Sequence, residues 1–314
     1  MAIPAKPANK SKAWLRAYAV LAYVFLYLPI ALIIIFSFNQ SRLGGAWTGF
    51  TLEWYRTLFA NAVVLEATRN SLIIAVVSTI FGTLFGTLLG VGLARYVFPG
   101  KKIFLWFMYV PVVIPEIIMA VSLIVFYSLI SQNAAAWASS LQMYVQESSG
   151  VRASMASSLA QGLESVASFF RLGLPTIILG HITFQIPFVA IVVRSRMAGF
   201  DRSLEEAARD LGASEWAVFR YVTLPLIMPG VIAGALLAFT LSIDDFVITF
   251  FTSGPGSTTL PVYIFGAVRR GVRPDVNALS TVIVVVTVVA LLLSNWVQSR
   301  VTTLAASAAP EEEP

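Results

Sequence analysis

The 314-residue chain has no cysteine, which excludes disulfide staples and thiol chemistry. Charge is scarce as well. Asp, Glu, Lys and Arg make up 12% of the residues, where soluble domains carry about 25%. With 58% of residues hydrophobic, that shortage excludes a water-soluble fold and leaves an integral membrane protein. The chain also lacks a loop of the Gly-x4-Gly-Lys-Ser/Thr type, so it cannot cradle ATP phosphates in that way. The net charge of +5 is modest and calls for no nucleic-acid partner.

What the chain does have is long apolar runs, at residues 18–38, 71–96, 103–130, 174–193, 226–251 and 278–297. Each is close to or above the roughly 20 residues that a helix needs to cross a bilayer. The expected fold is an all-α membrane protein with six transmembrane helices in residues 18–300. The first run is too long for the core of a secretory signal and is kept as a permanent span. Lys6, Lys10, Lys12 and Arg16 precede it, which puts residues 1–17 in the cytoplasm as a tail, and an even number of spans returns the other terminus there. On this topology 13 of the 21 basic residues are cytoplasmic, while Arg269, Arg270 and Arg273 fall outside against the trend. The Ala-rich, acidic residues 301–314 are expected to be disordered.

Between the spans, the outer loop 39–69 carries Trp47, Trp54 and Tyr55, which suit an interfacial belt. Residues 132–172 form a long Ser- and Ala-rich extracytoplasmic insertion. Within it Val151, Met155, Leu159, Leu163, Val166 and Phe170 recur at three- and four-residue spacing. That pattern predicts an amphipathic helix whose apolar stripe lies on the membrane or on neighbouring loops. Gly82, Gly86 and Gly90, and again Gly230 with Gly234, clear stripes along which another helix can approach closely.

The loop 201–223 is polar and helix-forming, between two segments too apolar for water. Ser203 and Glu206 have capping-box spacing, Gly212 suits a left-handed stop, and Ser214 suits the cap of a second short helix through Tyr221. Pro225 is expected to separate that helix from the fifth span. Leu204, Leu211, Trp216 and Phe219 supply apolar anchors beside the low profile of Ala207 and Ala208, as a docking element requires. A plain connection between spans is the alternative.

Inside the membrane, acids stand out. Glu116 follows Pro111 and Pro115, two prolines that distort a helix about 20 Å from its inner end, where a buried acid is costly unless a wet cavity serves it. Asp244 and Asp245 sit near the outer end of the fifth run, with Phe239, Phe246 and Phe250 able to add cation–π contacts. Both groups fit a pathway for a cation, or else hydrogen bonds that hold neighbouring helices. His181 and Gln185, one turn apart, read as interhelical packing first and pathway second. Nothing in the chain suggests a metal site.

The segment Glu206-Ala207-Ala208, three residues, Gly212, nine residues, Val222, one residue, Leu224-Pro225 resembles the EAA loop of ABC importer permeases. Only Val222, where the pattern has Ile, departs. More of the chain is similar to the spermidine/putrescine branch: Ser37-Phe38-Asn39, residues 181–184, residues 241–245, residues 253–256 and segments of 271–279. The insertion 132–172 and the two termini fall outside the likeness. The resemblance implies the type I permease fold, alternating access, and a multi-pass place in a bacterial inner membrane. It implies a second permease subunit, two cytoplasmic ATPase subunits that bind ATP and Mg, and an extracytoplasmic binding protein. Ser203, Leu204, Glu205, Glu206, Ala207, Ala208, Gly212, Ala213, Trp216 and Pro225 would then receive the ATPase. Glu116, Asp244, Asp245, His181, Gln185 and Phe246 would line or support the path of a polyamine. The branch carries Asp more often where Glu116 stands. The chain itself would be no enzyme and hold no cofactor. A permease for iron or an amino-acid-like solute, an ion-coupled transporter, and a membrane scaffold are the competing readings.

Overall fold

A computed structural model describes residues 10–41, 46–147, 149–199, 201–271 and 273–307. Every regular element among them is helical, and Asn39 and Phe50 form an isolated bridge. In chain order the helices are α1 (Lys10–Phe36), α2 (Glu53–Ala60), α3 (Ala62–Arg95), α4 (Lys101–Val113), α5 (Glu116–Glu147), α6 (Val151–Phe169) and α7 (Leu174–Ala198). There follow α8 (Ser203–Asp210), α9 (Glu215–Val218), a π-turn (Phe219–Thr223), α10 (Leu224–Ile243), α11 (Val247–Thr252), α12 (Leu260–Arg269) and α13 (Pro274–Ser307). Among the described residues five helical stretches are long and apolar enough to cross a membrane, and the apolar part of α13, Pro274–Val289, is shorter.

The chain divides into two compact units. The first holds residues 1–62 and 264–314, in which α13 packs on α1 and α2. Its loop after α1 is pinned by Asn39: Ala46 O accepts from Nδ2 at 2.7 Å, and Oδ1 accepts from Thr48 N at 3.0 Å. Trp54 Nε1 donates to Asn39 O at 2.7 Å and Tyr55 shares a 2.7 Å hydrogen bond with Ser37. Trp54 and Tyr55 thus tie the loop to the end of α1, beyond the interfacial role expected of them. α13 runs on to Ser307, past the expected start of a tail at residue 301. Residues 1–9 and 308–314 lie outside the described residues.

The second unit, residues 63–263, is organised around α7. Ile177, Val189, Ala190 and Val193 of this helix have no exposed surface. α3 meets it through the expected glycines: a Cβ at Gly86 would lie 2.6 Å from Val189 Cβ, and one at Gly90 2.8 Å from Ala190 O. α10 brings Gly230 and Gly234 to the same helix, 2.9 Å from Arg196 Cβ and 3.1 Å from Val189 Cγ1 by the same measure. Backbone-to-backbone approach replaces interdigitation on both contacts.

Two of the six apolar runs are broken. The third divides between α4 and α5 at Ile114, whose ψ of 138° is extended because the ring of Pro115 disfavours helical angles before it. The fifth divides between α10 and α11 at Asp244–Phe246.

The insertion is a helical hairpin, not a single surface helix. α5 continues unbroken to Glu147 and α6 packs back along it. The seam is alanine: Ala134 and Ala138 of α5, and Ala156, Ala160 and Ala167 of α6, are all buried. The apolar stripe lies outside that seam, with Val151, Met155, Leu159 and Val166 exposed on the hairpin, while the small alanines allow α5 and α6 to approach closely.

Candidate functional site

The two broken runs meet. Glu116 opens α5 immediately after the first break, Asp244 and Asp245 occupy the second, and α5 packs on α11. Gly180 of α7 lets both helices close on α7, since a Cβ there would lie 2.8 Å from Ile248 Cγ2 of α11 and 3.4 Å from Leu123 Cδ1 of α5. Each break places an acid at the start of a helix, where negative charge is favoured.

The two aspartates do different things. Asp245 is 6% exposed and caps α11. Its Oδ1 accepts from Thr249 N and Thr249 Oγ1, both at 2.8 Å, and Oδ2 accepts from Ile248 N at 3.4 Å. His181 Nε2 stands 3.1 Å from Oδ1 and 3.0 Å from Thr249 Oγ1. From there a polar chain crosses three helices: His181 Nδ1 to Ser242 Oγ at 2.7 Å, Ser242 to Ser78 at 3.1 Å, and Gln185 Nε2 donating to Ser78 Oγ at 3.1 Å. The Gln185 amide nitrogen can only donate and the Asp245 carboxylate can only accept, so the chain runs between a fixed donor and a fixed acceptor. Asp244, by contrast, is exposed, Glu116 is half-buried, and Glu116 reaches the Asp245 carboxyl.

The six candidate pathway residues occupy two kinds of surroundings. Asp245, His181 and Gln185 form an internal lattice that holds α3, α7, α10 and α11 together. Glu116 and Asp244 lie beside it with side-chain surface, and Phe246 packs at a tilt of 34° against Phe250 with ring centroids 5.3 Å apart. Ser78, Ser242 and Thr249 were missed by sequence reasoning. The signal was present in the last two, hydroxyls three before and four after Asp245 in an otherwise apolar stretch.

The second site is the polar loop. α8 starts at Ser203, but no capping box forms: Asp201 Oδ1 accepts from Ser203 N at 3.0 Å, so the capping side chain lies two residues earlier. That amide holds the Asp201 carboxyl below its ordinary range. The stop is as expected. Gly212 has φ of +85°, with Gly212 N donating to Arg209 O at 2.8 Å and Ala213 N to Ala208 O at 3.1 Å, the paired bonds of a Schellman motif. Ser214 Oγ caps α9 by accepting from Ala217 N at 3.3 Å. Arg209 joins α8 to α9 through two hydrogen bonds to Glu215, at 2.6 and 3.1 Å, which keep its guanidinium charged further above its ordinary range.

Pro225 does not separate α9 from the fifth span. The chain stays helical through the π-turn, where the Leu224 amide reaches back to Phe219 O. This wider turn directly before Pro225 accommodates a residue that has no amide to donate and a ring that crowds the preceding turn. Glu205 also departs from expectation. It is buried against Arg95 and Thr223, while Glu206, Ala207, Leu204, Leu211 and Trp216 are exposed. The outward face of this polar loop is thus made largely of apolar and small residues.

Comparison with known proteins adds the lineage. Residues 82–303 match the family described as binding-protein-dependent transport system inner membrane component. The chain is 39% identical over 275 residues to the spermidine/putrescine transport system permease protein PotC of Escherichia coli (strain K12), covering 88% of this chain and 90% of that one. It is 34% identical over 291 residues to the PotC protein of Haemophilus influenzae, covering 92% and 98%, and 37% identical over 271 residues to the putrescine transport system permease protein PotI of Escherichia coli (strain K12), covering 86% and 85%. A bacterial ABC transporter that imports the acidic polysaccharide alginate has a chain of similar fold, with TM-score 0.64, 22% identity, and 94% and 98% of the two chains covered. The same transporter bound to its alginate pentasaccharide-loaded periplasmic protein aligns with TM-score 0.65, 22% identity, and 95% and 99% covered. This chain belongs to the family of binding-protein-dependent transport system inner membrane components, as a membrane permease rather than an enzyme.

Proposed function

We propose that the chain is one of two permease subunits of an ATP-driven importer that carries polyamines across a bacterial inner membrane. The observation that carries this reading is the acid pair Glu116 and Asp244, set at two helix breaks that face one another. An extended cation of two or more charges can be passed between carboxylates spaced along a path, here beside the buried lattice around Asp245. Likeness to three polyamine permeases over most of their length supports the same cargo class. The acids argue against an anionic cargo.

In the assembly proposed here, six spans cross the membrane and both termini are cytoplasmic. Two ATPase subunits, which bind ATP and Mg, seat against the exposed face of α8 and α9. An extracytoplasmic binding protein delivers the amine to the opposite side. Closure of the ATPases moves the α8–α9 elbow, and the cavity exchanges inward for outward access. The test is a complete complex reconstituted in vesicles, its ATPase and uptake measured with putrescine, spermidine, iron and amino acids presented on the cognate binding protein. Amines alone are expected to stimulate both activities, and Glu116→Gln with Asp244→Asn is expected to lower uptake at least ten-fold. Stimulation by iron or an amino acid, with no response to amines, removes the cargo assignment.

A further inference from the structure

Glu205 is the exception on its helix. α8 presents its other acids to solvent, whereas Glu205 is 5% exposed. Its carboxylate sits in a triangle drawn from three separate elements. Arg95, the last residue of α3, pairs with it directly. Thr223, the last residue of the π-turn and fully buried, donates its hydroxyl to Glu205 Oε1 at 2.6 Å. Arg95 Nη2 closes the figure by donating to Thr223 Oγ1 at 2.6 Å. Arg209, also on α8, stands 3.9 Å from the other carboxylate oxygen.

We infer that Glu205 is a positioning residue that works inside the permease, not at the ATPase surface: it latches the coupling helix at once to α3 and to the π-turn at the root of α10. The inference rests on the reading of α8 as the ATPase contact. Three features point past simple anchoring. A buried ion pair is a weaker source of stability than apolar packing of the same volume, so an anchor alone needs no charge here. A π-turn can change register where an α-helix resists it. And the Thr223 hydroxyl has a second acceptor close by, Val218 O at 3.5 Å, so it can release Glu205 without being orphaned. A push on α8 therefore reaches two membrane helices through one carboxylate, and the π-turn supplies the give.

The experiment uses the complete reconstituted complex with binding protein and measures amine uptake per ATP hydrolysed, after the assembled complex has been quantified. Glu205→Gln and Thr223→Val are expected to assemble with ATPase activity within three-fold of wild type and uptake per ATP lowered at least ten-fold. Thr223→Ser, which keeps the hydroxyl, is expected to retain wild-type coupling. Wild-type uptake per ATP in Glu205→Gln and Thr223→Val overturns the latch, and so does loss of assembly in all three variants, which makes the triangle purely structural. If the wild-type complex itself shows no ATP-dependent uptake, the importer reading fails instead, so the two failures are distinguishable.

Discussion

Asp244 and Asp245 are neighbours in sequence, yet their replacement by asparagine should have opposite signatures. Asp245 accepts from Thr249 N, Thr249 Oγ1, Ile248 N and His181 Nε2 while 6% exposed. In Asp245→Asn one oxygen becomes an NH2 group facing a donor. Orphaning that buried donor costs about 1–3 kcal/mol, and weakening the remaining charge-assisted bonds adds about 1 kcal/mol. The expected loss is about 2–4 kcal/mol, roughly 30- to 900-fold in the unfolding equilibrium. Asp244 is exposed, and Asp244→Asn should stay within about 0.5 kcal/mol of wild type while lowering amine uptake. Reversible unfolding in bicelles, read by steric trapping, gives the stabilities, and vesicle uptake gives the activity. Equal stability of the two variants, or an Asp244→Asn protein that unfolds while Asp245→Asn does not, refutes the division into an accessible acid and a lattice acid.

Three further outcomes follow from the packing. Gly86→Ala should lose about 1–3 kcal/mol from overpacking against Val189, which a gain of roughly 1 kcal/mol in helix propensity reduces to a net loss of up to about 2 kcal/mol, whereas Gly92→Ala, where a Cβ meets nothing within 4 Å, should lose none; the same unfolding assay compares them. Ala160→Leu in the hairpin seam should force α5 and α6 apart, seen as a longer distance between spin labels on cysteines introduced at Ser140 and Leu159 of a chain that has no native thiol. Glu206→Lys on the outward face of α8 should leave the permease inserted but uncouple ATP hydrolysis from uptake, and unaltered uptake in that variant counts against the docking surface.

The apolar runs and the glycine stripes were legible because both are one-dimensional patterns, and Gly82, Gly86 and Gly90 meet α7 as a small-residue face should. The Schellman stop at Gly212 was legible for the same reason. What escaped was decided between elements. Nothing local distinguishes Glu205 from Glu206; their burial differs because Arg95, 110 residues earlier in the chain, arrives beneath one of them. The capping box failed because Asp201, two residues ahead of Ser203, reached the helix start first. In the insertion the larger side chains Met155, Leu159 and Val166 set the visible period, while the alanines at the next positions, Ala156, Ala160 and Ala167, make the contact. Pro225 reads as a boundary because proline rules assume an α-helical turn, and the turn before it is wider.

The helix at the centre of the second unit has smooth walls. Where α3 and α10 touch α7 they offer hydrogens instead of side chains, so there are few teeth to disengage when one rod moves along another. Travel parallel to the axes can then proceed at constant spacing, as a piston in a sleeve, with little rotamer rearrangement. Any methyl added to those walls acts as a brake, and in a variant that still folds it arrests the stroke.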